Sequence, residues 1–498
     1  MGEIQKQSAQ NTILSYLGMV LGYVNVVLLF PNFFDTSEVG LVRVMVYIAT
    51  FYAQFSALGS SQILLKYFPY YKSEEKQHEG ILFWTLTFSI IGFIAITGVF
   101  QLARPLLYDF YADKAPLLME YIYYVIPLAL FATVFNLFDS YLRSLKKSVY
   151  PSFTKDVLHR FLISGAIGLY ALGYVDFKTF VIAYISANGL IILSAVAYVV
   201  YLRQLFLKPA LSFIRSGEMV EIMRYGLYSV FSSAAIMITT LIDALMLAAM
   251  VGLKEVGIYT TGYFITSAIV VPARSVYRIA YPYVAEFWKS NDIGGIETLY
   301  KKVTMNNLIF GLIIYIGIWI NLPNIFALVP PEYSQAGMVI LLIGLGRIID
   351  MVTGINAIIL TTSNKYKFDI VFNVALAILT VVTNYLLIPE YGINGAGFAT
   401  FLAMSLINVI RLIAIGIWFK IHPFKFGNIW VVLIGGVVLA VNWLIPPLGN
   451  IFVDILIRSA IATSLFFGPV YLLKLSDDLN GMIKGLAQKI FGIRIPFG

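Results

Sequence analysis

The sequence predicts an all-α polytopic membrane protein, and three observations carry that prediction. The 498 residues are 60% hydrophobic and only 12% charged, with a mean hydropathy of +0.85, whereas soluble domains carry about 25% charged residues. Apolar runs of roughly 20 residues, enough to cross a bilayer, recur from end to end. Positive charge alternates from loop to loop. Cysteine is absent, which excludes disulfides, thiolate metal sites and thiol catalysis. The three histidines, His78, His159 and His422, lie too far apart to suggest a ligand cluster.

In chain order the predicted spans are residues 11–30, 39–64, 80–101, 119–138, 157–174, 180–201, 225–251, 257–285, 303–322, 337–360, 368–388, 395–419, 428–445 and 452–473, about fourteen helices in all. No removable signal peptide is expected at the N-terminus, since no charged segment precedes a short apolar core and a small-residue cleavage site. One set of loops carries Lys6; Lys66, Lys72 and Lys76; Arg143, Lys146, Lys147 and Lys155; Arg203, Lys208, Arg215 and Arg224; Lys289, Lys301 and Lys302; Lys365 and Lys367; Lys420 and Lys425; and Lys474, Lys484, Lys489 and Arg494 in the tail. The alternate set carries Arg104, Lys114, Lys178 and Lys254. By the positive-inside rule both termini are cytoplasmic, and the alternation supports an even number of spans. No external loop is large enough for a catalytic domain. There is no G-x-x-x-x-G-K-[ST] phosphate loop, no H-E-x-x-H motif and no plausible catalytic triad or carboxylate pair, so no enzymatic activity, metal site or cofactor is expected.

An internal repeat organises the chain. Ser37-Glu38-Val39-Gly40-Leu41, followed by Arg43 and then Phe68-Pro69-Tyr70, is echoed by Lys254-Glu255-Val256-Gly257-Ile258-Tyr259, followed by Arg274, Arg278 and Pro282. Gly173-Tyr174-Val175-Asp176 before the sixth span matches Tyr391-Gly392-Ile393-Asn394 before the twelfth. An even number of spans per copy makes the repeats parallel in topology. The expected organisation is a six-helix lobe over residues 1–204, a cytoplasmic connector over 205–224 broken at Lys208-Pro209 and Ser216-Gly217, and a second six-helix lobe over 225–420. Two extra helices follow over 421–473, then an amphipathic cytoplasmic tail over 474–498. The lobes would enclose a central cavity.

Charges within the spans mark the candidate site, because an ionised side chain at mid-membrane costs roughly 2.5–3.5 kcal/mol on insertion scales and must face protein or water. Arg43, Arg274, Arg278, Arg347, Arg411 and Arg458 outnumber Asp243, Asp350 and the helix-end Asp139. A cation-rich interior suits an anionic ligand, and guanidinium presents phosphate with a planar fork of donors. Arg274 and Arg278, four apart, share a helix face. If Phe287 and Trp288 mark the cytoplasmic interface, Arg274 lies about 20 Å from it, too deep to reach the surface. Arg43 is the third candidate, although it begins its span and could simply face external water. A structural ion pair with an acid such as Asp243 is the competing reading of Arg274. Asp243 could also bind a coupling Na+ or H+. Arg347 and Asp350, three apart, could pair with each other or form an inter-lobe ion pair. Arg411 and Arg458 read as structural.

The stretch Asn384-Tyr385-Leu386-Leu387-Ile388-Pro389-Glu390-Tyr391-Gly392-Ile393-Asn394-Gly395-Ala396-Gly397-Phe398-Ala399-Thr400 resembles the N-x-x-L-I-P-x-Y-G-x-x-G-A-x-x-A-T signature of the polysaccharide flippases. These belong to the multidrug/oligosaccharidyl-lipid/polysaccharide exporter superfamily. Asp243 leading to Val256-Gly257-Ile258-Tyr259 is similar to the start of that family's second lobe. The resemblance spans essentially the whole chain. It implies two six-helix lobes around a cavity and alternating-access flipping of a lipid-linked oligosaccharide across the bacterial cytoplasmic membrane. It also implies basic residues on the second and eighth helices, here Arg43 and Arg274/Arg278. Partners would be the glycolipid, membrane lipids and a coupling ion, and a monomer would suffice. A cation-coupled exporter of small molecules is the alternative on the same fold. A glycan polymerase or ligase is disfavoured by the short external loops, and a static scaffold would leave the buried arginines unexplained. The signature itself reads as structural: Pro389 would end a helix, Tyr391-Gly392 would turn the chain, and Gly395, Ala396, Gly397 and Ala399 would let the next helix pack closely.

Overall fold

Within a hydrocarbon layer a helix satisfies its own backbone donors and acceptors, and the predicted spans fall on helices, several of them interrupted by turns. The computed structural model describes residues 3–210 and 219–491, and among these all regular elements are helical. Arg215, the Ser216-Gly217 break and Arg494 lie outside them. Nine of the described helices are long and apolar enough to cross a bilayer, or eleven when two bent pairs each count as one span. The remaining predicted spans fall on interrupted, merged or shorter helices.

The chain divides into two compact units, up to Thr260 and from Thr261 on. In the first, α1 (Glu3–Tyr23) continues through a π-helical stretch, Val24–Leu29. Next come α2 (Thr36–Ser56), α3 (Ser60–Tyr71), α4 (Ile81–Tyr111), α5 (Val125–Ser144), α6 (His159–Ala171), α7 (Phe177–Tyr201) and α8 (Met219–Met250). A second π-helical stretch, Thr154–Leu158, leads into α6. The predicted second span is thus two helices. Leu58 (φ +45°) and Gly59 (φ +78°) are left-handed and end α2, a conformation glycine adopts without a Cβ clash. Glu38 of the repeat has a local role. Its carboxylate accepts from the Asp35 N–H at 3.1 Å in a capping box that starts α2, satisfying donors with no partner inside the helix. Glu255 occupies the first turn of α9 (Leu253–Thr266), which runs across the boundary between the units.

The second unit continues with α10 (Val271–Lys289), α11 (Ile293–Ile320), α12 (Gly337–Val352), α13 (Asn356–Thr362), α14 (Tyr366–Phe419), α15 (Gly427–Trp443), α16 (Ile451–Leu472) and α17 (Asp477–Phe491). The eighth predicted span is therefore α9 plus α10, interrupted before Pro272 at the first turn of α10, a position where the missing N–H costs nothing. The predicted eleventh and twelfth spans both lie in α14. Pro389 does not end that helical run. The chain departs from helical geometry at Gly392 alone, with φ +54° and ψ −130°. A Cβ on Gly395 would overlap the Leu387 carbonyl and lie 3.1 Å from the Ile388 nitrogen, and one on Gly397 would lie 3.3 Å from Val339 Cα on α12. These small residues bring backbones together at the turn and at the α12 contact.

The tail is tied to α11 by polar contacts. Lys302 Nζ lies 2.8 Å from Asp478, Asn306 donates to the same carboxylate at 2.8 Å, and Ser476 donates to Asn306 at 2.7 Å. Burial pushes the Asp478 pKa up, but the hydrogen bonds from Lys302 and Asn306 outweigh it and leave the carboxyl below its usual range. A lowered folded-state pKa contributes stability above the unfolded value and loses it as pH falls through the folded value. Lys302→Ala is therefore expected to speed proteolysis within α17 at neutral pH. Acidification through the Asp478 pKa should do the same to the native chain, with limited proteolysis as the readout.

Candidate functional site

The sequence singled out α10, and its surface pattern explains why. Ala273, Ala280 and Val284 are buried, while most other positions from Arg274 to Glu286 are exposed, among them Arg274, Arg278, Tyr281 and Ala285. Their spacing of four, three and four residues places these four on one face. A helix in an apolar run that turns two guanidinium groups outward needs water or an anion beside them. Among the described residues neither Arg274 nor Arg278 has an ion-pair partner within 4.0 Å.

Arg43 is two turns into α2 and half-buried. Its guanidinium lies 5.2 Å from the centre of the Phe30 ring, a favourable cation–π distance. One terminal nitrogen, Nη2, is buried and has no hydrogen-bond partner among the described residues. A buried N–H group without an acceptor is costly, so an incoming acceptor at this nitrogen would gain what the protein itself does not supply.

Asp243 on α8 is buried and accepts from the Tyr259 hydroxyl at 2.7 Å. Tyr259 follows the second copy of the Glu-Val-Gly repeat, so that copy is tied to the acid through a side chain as well as by its place in the chain.

Arg347 and Asp350 do not pair with each other. Arg347 is buried on α12, donates through Nε to Thr266 Oγ1 at 3.0 Å, and places its guanidinium 4.8 Å from the Tyr263 ring centre. Asp350 accepts from Asn408 Nδ2 at 3.0 Å. Helical side chains lean toward the N-terminus, so an arginine three residues before an acid is carried away from it. Asn408 Oδ1 in turn accepts from Thr353 at 3.0 Å and from Asn356 at 2.9 Å.

The sequence reading missed several partners. Asp369, close to the loop lysines Lys365 and Lys367, is buried and binds Arg411 at 2.8 Å. Asn373 joins both, accepting from Arg411 at 2.9 Å and donating to Asp369 at 3.0 Å. An Asp and an Asn four apart on an otherwise apolar helix was the available signal. Arg458 binds Asp454 at 2.7 Å and donates to Asn442 Oδ1 at 2.9 Å and to the Ile445 carbonyl at 3.0 Å. Arg411 and Arg458 thus hold helices together. In the first unit Arg160, inside the fifth predicted span, donates to the Gly18 carbonyl. The Arg160 carbonyl accepts from Asn25 at 2.9 Å, joining the two π-helical regions. The interior arginines of the candidate set therefore fall into two groups. Arg411 and Arg458 are compensated by acids, while Arg43, Arg274, Arg278 and Arg347 have no acid within 4.0 Å among the described residues, and of these four Arg347 is held by Thr266 and Tyr263.

Comparison with known proteins fits this arrangement to a family. The profile of the family described as "Polysaccharide biosynthesis protein" matches residues 5–288. An uncharacterised membrane protein of Methanocaldococcus jannaschii is 23% identical over 490 residues, 92% of each chain. The probable low-salt glycan biosynthesis flippase Agl15 of Haloferax volcanii is 23% identical over 205 residues, 41% of this chain and 42% of that protein. Among solved structures, the lipid II flippase MurJ in an inward closed conformation superposes with a TM-score of 0.74 at 14% identity, covering 92% of this chain and 97% of MurJ. An inward-facing multidrug resistance MATE family transporter of the MOP superfamily superposes with a TM-score of 0.62 at 14% identity, covering 82% and 94%. The profile covers more than half of the chain, so this multi-pass membrane protein belongs to the polysaccharide biosynthesis protein family, and its fold is that of the MurJ and MATE structures.

Proposed function

We propose that the protein flips a polyprenyl-diphosphate-linked oligosaccharide across the cytoplasmic membrane by alternating access, supplying surface polysaccharide synthesis. The observation that carries this reading is the exposed, acid-free pair Arg274 and Arg278 on one face of α10. Two guanidinium groups one helical turn apart suit the adjacent phosphates of a diphosphate, each oxygen accepting a charge-assisted hydrogen bond. Arg43, with its unsatisfied Nη2, is proposed as a further donor. Asp243 is assigned to coupling, by Na+ or H+, and the lobes to residues 1–204 and 225–420. The loop charges support cytoplasmic termini. Both relatives named above are archaeal, so the proposal attaches to a prokaryotic cytoplasmic membrane in general and no longer to a bacterial one in particular. One chain carries both repeats, so a monomer suffices, and no covalent step is assigned to it.

Export of a small molecule is the second reading, favoured by the MATE-type neighbours. Exposed arginines without acids disfavour cationic cargo but suit an anionic one. Depleting the protein separates the two. The flippase reading predicts lipid-linked glycan accumulating on the cytoplasmic leaflet, scored by its inaccessibility to an externally added glycosidase. Unchanged glycan sidedness after depletion would instead favour small-molecule export.

A further inference from the structure

Helix α2 meets α9 backbone to backbone near its start, and the turn just beyond its other end meets α8 in the same way, with glycines at both contacts. Near its start Gly40 faces Gly257 of α9. A Cβ on Gly40 would overlap the Leu253 carbonyl and lie 3.2 Å from the Gly257 nitrogen. A Cβ on Gly257 would overlap the Thr36 carbonyl and lie 3.3 Å from the Gly40 nitrogen. Leu253 precedes Gly257 by four residues, as Thr36 precedes Gly40, so each glycine rests on the preceding turn of the other helix. The contact is symmetric between the two copies of the Glu-Val-Gly repeat. Just beyond the other end of α2, Gly59 meets Gly226 of α8. A Cβ on Gly59 would overlap the Gly226 backbone, and one on Gly226 would lie 2.8 Å from the Leu58 carbonyl oxygen. All of these residues belong to the first compact unit.

Gly40 and Gly59 are nineteen positions apart, about 28 Å along a helix and close to the roughly 30 Å hydrocarbon thickness. By the loop charges, Gly40 lies at the external end and Gly59 at the cytoplasmic end. Each contact joins a helix of the first repeat to a helix of the second. We infer that these contacts are the two seals of the transport cycle, Gly40–Gly257 closing the external end and Gly59–Gly226 the cytoplasmic end, each parting when its end opens. The chemistry suits a contact that must be remade at every turnover. Backbones pressed together exclude water and lipid through weak dispersion contacts, and at the cytoplasmic end parting must also undo the packing of Ile63 against Gly226 and Ile222 and the contact of Lys66 with the Tyr225 ring at 3.9 Å. A side chain at any of the four positions would act as a wedge.

The chain contains no cysteine, so a single Thr50→Cys, exposed on α2 midway between the two contacts, can report accessibility to a membrane-impermeant maleimide in vesicles of either orientation. Adding Gly257→Leu is expected to raise labelling from the external side about tenfold by shifting the open population. Gly226→Leu is expected to raise labelling from the cytoplasmic side by a similar factor. Labelling that does not change, or that shifts toward the same side in both variants, overturns the assignment. This readout needs no substrate, so it stands or falls separately from the glycolipid reading. Should a leucine variant fail to reach the membrane, a Thr36→Cys/Leu253→Cys pair leaves all four glycines in place. Oxidative cross-linking of that pair should abolish complementation of the depleted strain and reduction should restore it, whereas a cross-linked protein that still complements rejects the outer seal.

Discussion

Replacing Arg274 and Arg278 together with alanine is expected to slow flipping by at least two orders of magnitude at matched membrane levels. Each guanidinium in the proposed complex makes charge-assisted hydrogen bonds to phosphate, worth about 1.5–3 kcal/mol. Losing both removes about 3–6 kcal/mol, or about 10²–10⁴ in rate or affinity at 1.4 kcal/mol per decade. The cost to folding should be small, because both side chains are exposed and neither compensates an acid among the described residues. Lysine at both positions keeps the charge and loses the bidentate fork, so an intermediate loss of about tenfold is expected. The rate at which glycan becomes accessible outside depleted, complemented cells is the measurement. A double alanine variant that flips at the native rate would remove α10 from the site.

Asp369→Ala is expected to have the largest effect on stability. It leaves Arg411 without its acid and with only Asn373 to accept from it; the Arg411 side chain is 9% exposed and its Nε lacks a hydrogen-bond partner among the described residues. Breaking a buried pair by removing one partner costs about 3–5 kcal/mol, against a total stability of roughly 5–15 kcal/mol for typical folded proteins. The expected result is a large fall in Tm in detergent and loss of monodisperse protein after extraction. Asp369→Ala/Arg411→Leu should recover most of the loss, because the uncompensated charge is gone. If the double variant is as unstable as the single one, the ion pair is not what holds α14 at this point.

The helices were legible in the sequence because a lipid environment leaves the backbone so little choice. Runs of apolar residues fixed each span, and the interruptions at Leu58-Gly59 and before Pro272 are the left-handed glycine and the helix-starting proline acting as their chemistry dictates. Less legible was what each interior charge touches. Spacing put Arg347 and Asp350 near one another on a helix, but the lean of helical side chains sends Arg347 to Thr266 and leaves Asp350 to Asn408. Asp369 escaped notice because it follows two loop lysines and looks interfacial. Its partner Arg411 is forty-two positions away, a distance that no local pattern reports. The Glu-Val-Gly repeat was visible as a repeat, yet its purposes differ by residue. Glu38 caps a helix through local contacts, and Gly40 serves a contact with Leu253 and Gly257 that only the folded chain brings about.

The most direct test of the central claim uses purified protein in liposomes loaded with a fluorescent polyprenyl-diphosphate-linked oligosaccharide. Loss of fluorescence to a membrane-impermeant quencher reports how much of the lipid has reached the outer leaflet. The account predicts that native protein exposes the pool initially held on the inner leaflet to the quencher, while the Arg274→Ala/Arg278→Ala protein leaves it protected, as do protein-free liposomes. Native protein that leaves the inner pool protected, while moving a small anionic solute across the same membrane, would contradict it.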